Sequence, residues 1–126
     1  MKITAIACTA SLLVVSAAHA GAYEECNLRG DHAVVTRCLV DADKEAQAAL
    51  NKVEGDLGKR ARDLDTATGR PGAAAALARS MREFANYRKA QCDFVKAMWA
   101  SGAGAEQAQV ACMTDMTRRR VRDLQN

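Results

Sequence analysis

Four cysteines, Cys26, Cys38, Cys92 and Cys112, constrain this chain more than any other feature, provided that they meet an oxidising environment. The opening MKITAIACTASLLVVSAAHA supplies that condition. Lys2 gives a positive start, Ile3 to Val15 an apolar stretch, and Ala18-His19-Ala20 a small-x-small cleavage site, the three parts of a secretory signal peptide. Cleavage is expected after Ala20. The apolar run is short for a membrane span of about 20 residues and is interrupted by Thr9 and Ser11, so no transmembrane segment is expected in the mature chain. Cys8 lies inside the apolar stretch, and Tyr23-Glu24-Glu25 ahead of Cys26 are neither small nor apolar. A periplasmic or secreted protein that is not a lipoprotein is therefore expected.

Cleavage removes Cys8 and leaves four cysteines, the parity of a disulfide framework. Three connectivities are open, and local pairing, Cys26 with Cys38 and Cys92 with Cys112, is favoured because each pair flanks a predicted bend. A metal or redox site would need a CxxC pair or clustered histidines. Neither occurs, since His32 is the only histidine after residue 20. No metal and no cofactor are expected. Removing 20 of 126 residues leaves 106, one small domain over 21–126 that buries proportionately little surface. Each disulfide then contributes about 2 to 4 kcal/mol, a large share of the stability of such a domain.

Between Asp31 and Asp65, Val35, Leu39, Leu50, Val53, Leu57 and Leu64 recur at helical spacing, with Ala42, Ala46 and Ala61 filling the steps. Asp31 can cap this helix, and Gly55 and Gly58 each cost roughly 1 kcal/mol inside it, so a kink near them is one expectation. Gly69 to Gly72, with Pro71, ends it. A second helix is expected over 73–100, with Leu77, Met81, Phe84, Cys92, Val95 and Met98 or Trp99 on one stripe. Ser101-Gly102-Ala103-Gly104 breaks it. A third helix follows, with Ala108, Cys112, Met113, Met116 and Leu124 on its apolar face. No stretch alternates as a strand does. The expected fold is all-α, a small antiparallel bundle of about three helices with two disulfides. Cys92 and Cys112 stand about two turns either side of the second bend, which brings them opposite each other.

Phe84 to Cys92 reads FxxYRKAQC; a glycine break and CMTDMTRRRVRDL, Cys112 to Leu124, follow it, and RCLVDADKEAQAALNKV, Arg37 to Val53, precedes it. In order and cysteine spacing this resembles the LprI family of small secreted bacterial proteins, over nearly all of the mature chain. The resemblance implies a lysozyme-inhibitor-like protein that acts by occluding the enzyme, with a lysozyme as protein partner. Phe84 stands where that family commonly has tryptophan and Lys89 where it commonly has aspartate. Tyr87, Arg88 and Gln91 match the family's YR..Q element and are candidate binding residues. Arg88 can present its guanidinium to a carboxylate partner; the blander expectation, favoured here, is that it lies over the bundle and pairs with an acidic residue of the first helix. Trp99, the sole tryptophan, is the fourth candidate, as a binding anchor or, the favoured expectation, as the closure of one end of the core. Phe84 is expected in the core.

Loss of Lys2 with the leader takes the formal charge from +3 to +2, too weak to imply a nucleic-acid protein. Residues 21 to 65 carry ten acidic and seven basic side chains and residues 66 to 126 five and ten, so the two halves are expected to attract each other or to attract different partners. Arg118, Arg119, Arg120 and Arg122 wrap around their helix instead of forming one stripe. Acidic residues of the first helix, such as Asp41, Asp43 and Glu45, can face a basic partner, though intervening lysines favour a merely solvated face. No nucleophile, base and orienting group form a recognisable catalytic set; an enzyme is not expected. The alternative function is a periplasmic envelope-stress or protein-interaction module with no action on lysozyme.

Overall fold

The structure is a computed structural model that describes residues 21–100 and 102–126. The expected signal peptide over 1–20, with Cys8, and Ser101 of the second bend lie outside the described residues. The described residues form four successive helices: α1 (Ala22–Asn27), α2 (His32–Thr68), α3 (Ala73–Met98) and α4 (Gly104–Gln125). Among the described residues there is no strand, and no helix is long and apolar enough to cross a membrane.

Local chemistry sets most boundaries. Asp31 Oδ1 accepts hydrogen bonds from Ala33 N at 3.0 Å and Val34 N at 3.1 Å and so caps α2. Gly69, at φ +62°, ends it in the left-handed conformation that glycine adopts without a Cβ penalty. Gly55 and Gly58 do not break the helix: α2 runs through them as one long helix of 37 residues. Lys52 bridges the first glycine by pairing with Asp56 at 3.0 Å, and the surrounding Lys, Glu, Leu and Arg residues are good helix formers. Asp65, in the last turn of α2, caps the next helix as well. Its carboxylate accepts from Gly72 N, Ala73 N and Ala74 N at 3.2, 2.9 and 3.1 Å, and those backbone donors, Ala74 and Ala73 foremost, hold its pKa below the ordinary value of 3.8.

Both disulfides have the local connectivity: Cys26–Cys38 ties α1 to α2, and Cys92–Cys112 ties α3 to α4, each with 5.6 Å between Cα atoms. Helix α4 packs against α1, α2 and α3. Its buried face differs from the expected one. Ala105, Gln107, Ala108, Ala111, Thr114 and Thr117 are buried, whereas Cys112, Met113, Met116 and Leu124 are half-buried. Small side chains win those positions because α4 lies between neighbours on several sides, where only a slim face permits close approach. The threonine hydroxyls donate hydrogen bonds back along the helix, Thr114 to Val110 O and Thr117 to Met113 O. Buried Gln107 donates to His32 O and Thr36 Oγ1 and fixes the start of α4 beside the start of α2. The main apolar cluster, Ala22, Cys26, Val35, Leu39 and Ala111, sits where α1, α2 and α4 meet.

Phe84 is half-buried and not enclosed in the core. The guanidinium carbons of Arg88 and Arg120 lie 5.6 and 5.3 Å from its ring centroid, so two cations cover the faces that apolar side chains would otherwise fill.

Candidate functional site: the outer face of the third helix

Helix α3 has two seams. Inward, Cys92 is fully buried at the disulfide. Outward, Tyr87, Gln91, Phe94 and Met98 fall within an arc of about 60°, at 100° per residue, and span about 16 Å along the axis. Gln91 is half-buried at the edge. Tyr87, Phe94 and Met98 are 61%, 59% and 69% exposed, a row of large apolar surfaces that nothing among the described residues covers. Single exposed hydrophobics are ordinary, whereas a contiguous row marks a contact surface.

At the end of this row Trp99 leaves α3. It is 47% exposed and so does not close the core as expected. Its ring lies across the start of α4, where a Cβ on Gly104 would come within 2.8 Å of it; that close approach is what position 104 needs glycine for. Tyr23 of α1 also approaches the indole, with ring centroids 6.3 Å apart and the rings tilted by 50°. Three elements thus meet at one half-exposed indole.

Arg88 points the other way. Its Nη1 donates to Gln47 Oε1 at 2.9 Å and to Thr117 Oγ1 at 2.6 Å, joining α3 to α2 and α4. The expected carboxylate partner on the first helix is replaced by an amide, because Gln47 stands at the level of Arg88 while the acidic neighbour, Glu54, lies further along α2. Glu54 is only 8% exposed. Burial pushes its carboxyl above the ordinary value of 4.5, and the charges of Arg120 and Arg88 pull it part of the way back. The Nε atoms of both arginines are buried without a protein acceptor. Arg88 is therefore an interior brace between helices.

Of the four candidates, Tyr87, Gln91 and Trp99 lie on or beside the exposed row and Arg88 does not. Phe94 and Met98 were not foreseen as exposed site residues. Their signal is present in the sequence: Ser80, Phe84, Tyr87, Gln91, Phe94 and Met98 are spaced by four and three in alternation, a second helical seam beside the one that carries Cys92. The arginine cluster of α4 is dispersed, with Arg118 paired to Glu25 at 2.9 Å and Arg120 donating to Ser80 Oγ at 2.6 Å. Among the described residues no three His, Cys, Asp or Glu side chains converge to hold a metal ion.

What this arrangement can do chemically is bind. A helix pinned by a disulfide presents aromatic and thioether groups, surfaces suited to contact with a partner. A family model described as lysozyme inhibitor LprI matches residues 26–124. No curated protein and no solved structure matches the chain. The match runs from the first disulfide cysteine to the last turn of α4 and takes in both bridges and the exposed row: the chain belongs to the LprI family.

Proposed function

We propose that this protein is an exported inhibitor that binds a lysozyme and blocks its substrate cleft with the outer face of α3. Membership of a family of lysozyme inhibitors supports the partner class, and the same membership together with two disulfides supports a periplasmic or extracellular location. The observation that carries the contact surface is the exposed row Tyr87, Phe94 and Met98. Aromatic side chains on a rigid element lose little freedom on binding and act as anchors. Methionine adapts its shape to an uneven partner. Gln91 at the edge of the row offers a hydrogen bond, Trp99 extends the contact toward α1, and Arg88 keeps α3 in register from behind. Inhibition in this scheme is competition by occlusion, so no residue performs a chemical step.

The test is the rate of cell-wall hydrolysis by a lysozyme against added mature protein at physiological salt. A rate that falls as protein is added, in proportion to enzyme bound, is the expected outcome. An unchanged rate at micromolar protein contradicts it and favours a module that binds another envelope protein.

A further inference from the structure

Helix α1 begins where a chain cut after Ala20 starts. Gly21 precedes it, half-buried, and Ala22, its first residue, is fully buried. Asp115 of α4 reaches this point, where its Oδ1 accepts from Ala22 N at 2.9 Å. Its other oxygen, Oδ2, faces Gly21, and so does Oε2 of Glu24. A Cβ on Gly21 would stand 2.8 Å from the first and 2.7 Å from the second. A carbon there crowds both oxygens, yet both distances are those of an ammonium donating to a carboxylate. Neither Asp115 nor Glu24 is in a salt bridge among the described residues, and Arg118, three residues along α4, is taken by Glu25 at 2.9 Å. Two carboxylates thus converge on a position one atom wide, and the described residues bring no side-chain cation to either.

We infer that a signal peptidase hydrolyses the Ala20–Gly21 peptide bond, and that the new terminal ammonium of Gly21 takes the Cβ position and is held between Asp115 and Glu24. Water adds its oxygen to the Ala20 carbonyl carbon and the C–N bond breaks. The leader departs as a carboxylate, and both protons of the water end on the Gly21 nitrogen. Freed from the peptide bond, Gly21 needs a third of a turn about its Cα–C bond to set its nitrogen in the Cβ position, and glycine has no side chain to obstruct that turn. The ion pair fastens the first residue of the mature chain to α4, two residues before Tyr23, whose ring meets Trp99. An uncleaved chain has a neutral amide at Gly21 and cannot form it, so processing completes the docking of α1. The inference stands apart from the choice of partner for the row on α3.

Amino-terminal sequencing of the exported protein, with NMR titration of the Gly21 Cα protons, which follow the charge of the adjacent amine, tests both parts. The first residue is expected to be Gly21. Its amine is expected to lose its proton about 0.5 pH unit or more above the ordinary α-amino range, because two carboxylates favour the charged form. Asp115→Asn keeps an oxygen for Ala22 N but removes the charge, and the titration falls back toward the ordinary range. Glu24→Gln, a change at an exposed position, shifts it the same way and keeps the test decisive if the first variant folds poorly. A mature chain that starts at another residue, an amine that titrates in the ordinary range, or a titration unchanged by both substitutions each overturns the proposal.

Discussion

Glu54, Arg88, Arg120 and Phe84 form the most consequential set of side chains inside the bundle. A carboxylate, two guanidiniums and a ring share one space, with both arginine Nε atoms left without a protein acceptor. Because burial outweighs the arginines, the folded protein holds a proton on Glu54 more tightly than the unfolded chain does. A raised carboxyl pKa makes the native state bind more protons, so stability falls as pH rises from 4.5 through the elevated value. Glu54→Gln removes this slope. Urea midpoints measured between about pH 4.5 and 7 should decline for the wild type relative to the variant; parallel curves would contradict the assignment. Little of this set was legible beforehand. The hydrogen-bonding partner of Arg88 lies 41 residues away, and helical periodicity tells which side of a helix a residue occupies without telling which neighbour stands at its level. The Asp31 cap, by contrast, depends only on the next three residues and was plain.

At the scale of elements the long helix and its turn carry two further expectations. Gly55 sits in the interior of α2 with open space where a Cβ would stand, so Gly55→Ala should raise stability by about 0.5 to 1 kcal/mol through the unfolded chain's lost freedom; thermal or urea unfolding checks it. Asp65 joins the end of α2 to the start of α3. Asp65→Ala leaves the amides of Gly72, Ala73 and Ala74 without their acceptor, and hydrogen exchange there should quicken while Ala111 in the core keeps its protection. The sign with pH is opposite to that of Glu54. The lowered pKa of Asp65 gives stability that is present above 3.8 and lost as pH falls through the depressed value. The three long helices followed from apolar spacing, and the stop at Gly69 from turn chemistry. Helix α1 did not, since its six residues are too few to show a period. The buried side of α4 was missed for another reason: at its close contacts, alanine and threonine displace the larger side chains that a search for apolar stripes follows.

The described residues as a whole form three long rods and one short one, with few large side chains buried and covalent links at two of the contacts. Cys26–Cys38 holds α1 against the core, and Cys92–Cys112 fixes the helix that bears the exposed row. Pairing of the cysteines was legible because each pair flanks a bend; exposure of the row was not, because a heptad seam looks alike whether it is covered or free. The proposed role rests on that free seam. The most direct measurement is equilibrium binding of a lysozyme by the wild type and by Phe94→Glu, a change at an exposed position that leaves both disulfides and the inner seam untouched. The wild type is expected to bind with Kd in the micromolar range or tighter and the variant at least about tenfold more weakly. Equal affinity of the two, or no binding by either, would contradict the account.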